Sequence, residues 1–180
     1  MSVNTPRSVH ICYLATALAF LLGCHANRAS RSEAPVIDDS PPSPVAREIQ
    51  SRGYRAEKRL VFQPTPWEVS AFRMRTKRLV AFRAEQPLPN ERERYYCRFS
   101  LVEETYDSNE DARQRLDSIH RNLPGGPVED EYTLVLRDGF RVGTVAYILS
   151  TDAAIFHGEI QKLTQALTDS IGGAERARLR

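Results

Sequence analysis

Residues 132–149 read YTLVLRDGFRVGTVAYIL, and two apolar runs in this segment flank Asp138-Gly139. Asp-Gly favours the two-residue type I′ turn, because both central positions of that turn need positive φ. The segment therefore predicts a β-hairpin with its turn at Asp138-Gly139. Apolar residues occupy both faces of this hairpin: Val135, Val142 and Ile148 on one, and Leu134, Val145 and Leu149 on the other. We expect helices on both sides of the sheet and the hairpin at its centre.

Further strands are predicted on the amino-terminal side of the hairpin. Residues 60–62 form one short apolar run, and residues 67–74 and 79–84 form two more, with a basic turn expected at Arg75-Thr76-Lys77-Arg78. From Tyr95 to Leu101, apolar and polar residues alternate with the period of a half-buried strand.

Three helices are predicted from capping residues and apolar spacing. Ser43 and Pro44 open the first, which ends near Gly53. Ser108 precedes a second over residues 109–122, with Asp111 placed as in a capping box. A third covers residues 153–170, before Gly172-Gly173.

The resulting order, α-β-β-β-β-α-β-β-α with short connections, predicts an α+β fold. We expect an antiparallel sheet of about five to six strands with two to three packed helices, and an α/β/α sandwich is one arrangement that fits. The whole chain has 180 residues, and we assign residues 44–173 to one domain, a size that folds without disulfide bonds.

The amino terminus carries a targeting pattern. Arg7 precedes an apolar run over residues 11–22, which as a helix spans only about 18 Å and is too short to cross a bilayer. The ending Leu21-Leu22-Gly23-Cys24 resembles the lipobox of bacterial lipoproteins. That resemblance implies a signal peptide over residues 1–23, cleavage before Cys24 and lipidation of Cys24. An ordinary secretory signal with an incidental Cys24 is the alternative.

The resemblance also implies a location in the bacterial cell envelope. In enteric lipoproteins an Asp after the lipidated cysteine favours retention in the inner membrane. His25 occupies that place here, so the periplasmic face of the outer membrane is favoured.

Residues 24–43 are small, polar and proline-rich, and we interpret them as the lipidated cysteine and a disordered tether. Docking of Val36-Ile37 onto the domain is the alternative. Residues 174–180 form a basic carboxy-terminal tail. With Cys12 in the signal peptide and Cys24 lipidated, Cys97 is left without a disulfide partner, and we expect it to be buried.

Charge is divided along the chain. Residues 47–98 hold 13 basic and 6 acidic residues, whereas residues 99–175 hold 6 and 14. Either oppositely charged strands neutralise each other inside the domain, or the basic part faces an anionic partner. If the basic part faces an anionic partner, the candidate partner-binding residues are Arg73, Arg75, Lys77, Arg78 and Arg83. The net charge of +2 gives no support to nucleic-acid binding.

The sequence holds no familiar catalytic, phosphate-binding or metal-binding motif, so no catalytic, cofactor or metal residue is assigned. The adjacent acids Glu103 and Glu104 are expected to be solvated at a strand end. Trp67 is interpreted as a core or edge residue, or alternatively as an exposed aromatic platform.

The leading interpretation is a non-enzymatic envelope lipoprotein whose domain binds another envelope component, either a protein or an anionic polymer. The alternatives are a carrier of a small or lipid ligand, with its cavity near Gly143 between helix and sheet, and a hydrolase without a familiar motif.

Overall fold

The computed structural model describes residues 34–89, 94–120 and 136–176, except for the side chains of His120 and Leu136. In this part the chain has an α+β fold with seven strands and four α-helices, so the expected class is confirmed with more strands than expected. The elements are β1 Val36–Ile37, α1 Pro44–Ser51, β2 Tyr54–Phe62, α2 Pro66–Phe72, β3 Met74–Ala84, β4 Arg98–Tyr106, α3 Asn109–His120, β5 Leu136–Val142, β6 Val145–Thr151, a 3-10 turn Ala154–Phe156, α4 His157–Ser170 and β7 Ala174–Arg176.

All strand pairs are antiparallel, in the order β1-β2-β3-β4-β6-β5-β7. The middle strand is β4, so the expectation that the β5–β6 hairpin is central is wrong. Because successive side chains of a strand point to opposite faces, the register assigns each strand residue to one of two faces. We call the face carrying Phe99 and Leu101 the first face, and the face carrying Val102 and Glu104 the second.

Helices pack on both faces, as expected. On the first face, α1 and α4 bury apolar side chains such as Ile49 and Leu167 against Phe82, Leu101 and Leu149. On the second face, α3 contributes Ala112 and Leu116 to a smaller core, and Phe72 of α2 packs against it. The two helix layers explain why strand residues are apolar on both sides.

The hairpin turn lies five residues beyond its predicted place. Gly143 and Thr144 form the turn, with Gly143 at φ 57°, whereas Asp138 and Gly139 lie inside β5. The Asp138 carboxylate is buried and accepts hydrogen bonds from the Gly139 N–H and from Arg176. Gly139 is needed for space, since a Cβ there would lie 2.8 Å from the carbonyl oxygen of Tyr147. Gly143 is exposed in this turn. It therefore does not lie between a helix and the sheet, where the carrier cavity was expected.

Two predictions around residues 67–78 are also wrong. Residues 66–72 form the helix α2, because Thr65 and Glu68 make a reciprocal capping box and Pro66 suits the first turn. The basic residues 75–78 are part of the 11-residue strand β3. Arg73, at φ 53°, ends α2 and lets the chain enter β3 directly.

The folded part extends beyond the expected bounds at both ends. Val36 and Ile37 pair with Val61 and Leu60, and the Asp38 N–H donates to the carbonyl of Arg59. The disordered tether expected over residues 24–43 therefore does not continue through residues 36–38. At the other end, residues 174–176 of the expected tail pair with β5. Both additions satisfy backbone groups at a sheet edge.

Candidate functional site

The five basic residues singled out from the sequence do not form one surface. Lys77 and Arg78 are neighbours in β3 and therefore point to opposite faces. The Lys77 ammonium is 2.6 Å from Glu68, whereas Arg78 is 3.9 Å from Asp38. Arg75 pairs with Asp107, and Arg73 is exposed at the end of α2. Arg83 stands apart, near the far end of β3.

Lys77 belongs to a buried ionic cluster on the second face. It lies between Glu68 of α2 and Glu104 of β4, at 2.6 and 3.9 Å. Arg115 of α3 binds the same Glu104 with two nitrogens, at 2.9 and 3.3 Å, and Tyr106 donates its hydroxyl to Glu104. Burial would raise the pKa of Glu68, but Lys77 and Thr65 hold that pKa below its usual range. The cluster joins α2 and α3 to the sheet.

A second buried cluster lies on the first face. Glu103 accepts a hydrogen bond from Ser43, the residue that caps α1. Burial raises the pKa of Glu103, and Ser43 and Arg78 offset only part of this effect. Asp38 accepts from the backbone and side chain of Ser40. The expectation that Glu103 and Glu104 are solvated is wrong, because helices cover both faces at this point of β4.

A groove lies on the second face, where β3 ends and β4 begins. It has a volume of about 350 Å³. Small side chains line its floor, namely Ala81, Ser100 and Ser150, which are in register across three neighbouring strands. Glu57, Arg98 and Asp152 form the rim. We call this feature the serine groove.

Basic residues flank the serine groove along the register of the sheet. Arg55, Arg83 and Arg98 are aligned on β2, β3 and β4, and on β3 and β4 they lie two residues from the floor. Lys58 and Arg137 stand at the two ends of the row that contains the floor residues. Against these five cations stand the two rim carboxylates, Glu57 and Asp152, so among the described residues cations outnumber carboxylates around the groove.

The three aligned arginines differ in the contacts that they make with neighbouring carboxylates and aromatic rings. Glu57, at the β-bulge of β2, is 3.7 Å from Arg55 and 4.0 Å from Arg83. The Arg83 guanidinium also lies 4.6 Å from the centre of the Tyr96 ring. No carboxylate of the described residues lies within 4.0 Å of Arg98, which is exposed. Of the three aligned arginines, Arg98 is therefore the one most available to a ligand.

No family model, curated protein or solved structure matches this chain.

Cys97 and Trp67 were also singled out from the sequence, and the structure describes both. Cys97 is buried as expected, and burial raises the pKa of its thiol to about 12, so the thiol stays protonated at neutral pH. Trp67 is 45% exposed, with its ring edge against Phe72 at 5.2 Å between centroids. The described residues contain no cluster of metal-ligating side chains. Among these same residues no helix is long and apolar enough to cross a membrane.

Sequence reasoning missed the serine groove, apart from Arg83. Arg55, Arg83 and Arg98 are 28 and 15 positions apart along the chain and meet only through strand pairing. The nearest sequence signal was the excess of basic residues between residues 47 and 98.

Proposed function

We propose that this chain is a lipid-anchored envelope protein whose domain binds an anionic envelope polymer in the serine groove. The main support for binding in the groove is the alignment of Arg55, Arg83 and Arg98 on three neighbouring strands beside an open groove. The lipobox-like ending at Cys24 supports the anchor, and His25 favours the periplasmic face of the outer membrane.

The chemistry of the groove suits phosphate or carboxylate groups. A guanidinium presents several N–H donors in a plane and binds such oxyanions through two parallel hydrogen bonds. Neighbouring strands are about 4.8 Å apart, so three aligned arginines cover about 10 Å. This spacing favours a ligand with several anionic groups over one with a single charge. The Ser100 and Ser150 hydroxyls on the floor can bond to polar groups between those charges.

The anionic ligand is favoured over a ligand held between helix and sheet because the helix–sheet spaces are occupied by packed side chains. On the first face, Phe82 and Phe99 stack at 5.4 Å, and Phe140 and Tyr147 at 5.2 Å. The serine groove, in contrast, is open, and its lining includes Glu57, Arg98 and Asp152 together with the hydroxyls of Ser100 and Ser150.

The test of the groove is a double charge reversal, Arg83→Glu with Arg98→Glu. Binding of purified lipopolysaccharide and of inorganic polyphosphate, as polyanion probes, is measured by titration at low and physiological ionic strength. We expect the reversal to weaken binding at least about tenfold, or about 1.4 kcal/mol, and the loss to shrink as salt screens the charges. The matched control is Arg113→Glu with Lys162→Glu, which makes the same charge change on α3 and α4, where both residues are exposed.

Equal weakening by the groove and control variants would show that only net charge matters and would overturn the groove assignment. The anchor is tested separately by Cys24→Ala. We expect this substitution to abolish labelling with fatty acid, and unchanged labelling would overturn the anchor.

A further inference from the structure

The edge strand β1 carries two exposed apolar side chains. Val36 is 67% exposed and Ile37 is 71% exposed, although they lie on opposite faces of the strand. They are the most exposed large apolar residues of the described part of the chain. An edge strand of this kind is normally protected by charges or by a covering element. Its two exposed apolar side chains therefore indicate a contact with a partner.

The apolar character continues from β1 onto the second face. Ile37, Leu60 and Leu79 are in register on β1, β2 and β3, and the row continues through Val102 of β4. Leu60, Leu79 and Val102 are each partly exposed. Exposure falls along the row, from Ile37, which is exposed at the sheet edge, to Ile148, which is buried in the core beside α3.

Helix α2 stands beside this row on the same face. Glu68 of α2 is 2.6 Å from Lys77, which is two residues from Leu79 on the same side of β3. The outer residues of α2 add apolar surface, since Trp67 is 45% and Val69 is 48% exposed. We call Val36, Ile37, Leu60, Trp67 and Val69 the apolar edge.

The chain leading to the proposed anchor enters the fold at this edge. Eleven residues, 25–35, separate Cys24 from Val36, and eleven residues cannot reach farther than about 40 Å even when fully extended. β1 is therefore the first strand after the anchor and lies within about 40 Å of it. The exposed Arg73 at the end of α2 can face anionic headgroups, whereas Asp39 opposes them.

We propose that the apolar edge rests on the membrane that holds Cys24, so that the domain has a fixed orientation on the bilayer. This inference rests on the lipid anchor of the proposed function. Trp67 and the apolar side chains of β1 lie at headgroup depth, as is usual for aromatic and apolar residues of surface-bound proteins. The serine groove lies on the same face, toward the end of β3 opposite to α2.

Trp67 is the only tryptophan of the chain, so its fluorescence reports on this edge without labelling. The processed, lipidated protein, which begins at Cys24, is reconstituted into vesicles of phosphatidylethanolamine and phosphatidylglycerol, with or without brominated acyl chains. We expect Trp67 emission to shift to shorter wavelength relative to the soluble Cys24→Ala protein, and to be quenched by the brominated lipid. Ile37→Asp and Val69→Asp, both at exposed positions, should each reduce the quenching.

The matched control is Ile155→Asp, which places the same charge at an apolar residue 46% exposed in the 3-10 turn before α4. This variant should keep the quenching of the parent protein, and circular dichroism checks that all three variants are folded. Flotation of the vesicles separates the two hypotheses. Protein that floats with unquenched Trp67 is anchored but undocked, which overturns only this inference, whereas protein that does not float overturns the anchor as well. A dimer that Ile37→Asp dissociates, with no change in quenching, would assign the edge to a second copy of the chain and also overturn lipid docking.

Discussion

The buried pair between Arg115 and Glu104 allows a quantitative test of the structure. Arg115 is the cation that reaches Glu104 at hydrogen-bond distance, whereas Lys77 remains 3.9 Å away and is bound to Glu68. Both members of the pair are buried. Arg115→Met keeps the aliphatic stem but leaves a buried carboxylate without its main partner, which typically costs about 3–5 kcal/mol.

We expect the loss to be about 3 kcal/mol, the lower end of that range, because the Tyr106 hydroxyl and Lys77 still face the carboxylate. The assay is urea unfolding followed by circular dichroism and Trp67 fluorescence, in the full-length Cys24→Ala background. With a slope of about 2 kcal/mol per molar urea, the midpoint should fall by about 1.5 M.

The same helix provides the matched control. Arg113 also binds a carboxylate, that of Glu110 at 2.7 Å, but both groups are exposed. Arg113→Met should therefore leave the midpoint nearly unchanged, since water screens exposed ion pairs. If Arg115→Met is no more destabilising than Arg113→Met, Glu104 is not desolvated and the burial argument fails.

A double variant separates charge from packing. Glu104→Gln combined with Arg115→Met removes both charges, retains an oxygen that can accept from Tyr106, and leaves Lys77 with Glu68. We expect this protein to be more stable than Arg115→Met alone by at least about 1 kcal/mol. If the two substitutions are additive instead, the loss comes from packing and not from an unpaired charge.

Two further outcomes are expected from substitutions elsewhere in the sheet and helices. Gly139→Ala places a Cβ within 2.8 Å of the Tyr147 carbonyl oxygen and should destabilise the protein by about 1–3 kcal/mol. Gly158→Ala, in open space on α4, should stabilise it by about 0.5–1 kcal/mol. Thermal unfolding that ranks the two variants the other way would contradict the strand assignment of Gly139. Because burial raises the pKa of Glu103 above its value in the unfolded chain, its ionisation weakens the folded state as pH rises through that pKa. Glu103→Gln should therefore stabilise the protein at pH 7 and have a smaller effect at pH 4, as measured by urea titrations at both values; a benefit that grows on acidification would refute this sign.

Helix caps were well predicted where the signal is local. Ser43 accepts from the Ala46 N–H at 3.0 Å, and Ser108 and Asp111 pair at the start of α3, where the sequence placed them. A capping residue acts on amides two or three positions away, so its role is visible in a few consecutive residues. The capping box at Thr65 and Glu68 has the same local signature, but the apolar residues that follow it were interpreted as a strand.

The candidate site was far less accessible from the sequence. The adjacent acids Glu103 and Glu104 show why: alternation sends them to opposite faces, but only the presence of α1 on one face and of α2 and α3 on the other makes both buried. Their partners are equally distant along the chain, since Ser43 is 60 residues from Glu103. The serine groove depends in the same way on pairing between strands.

The sequence alone determined the fold class, both helix layers and the buried thiol of Cys97, because these follow from period, capping and apolar content within short windows. The tertiary structure decided the place of the hairpin turn, the separation of Lys77 from Arg78, and the alignment of Arg55, Arg83 and Arg98. Asp138-Gly139 carries the stronger local turn signal, yet β5 continues through it. A single turn preference contributes little compared with the cross-strand pairs and the partly buried Asp138–Arg176 contact that form when the turn is at Gly143. Strand register is a property of the assembled sheet, and a one-residue shift would move every side chain to the other face.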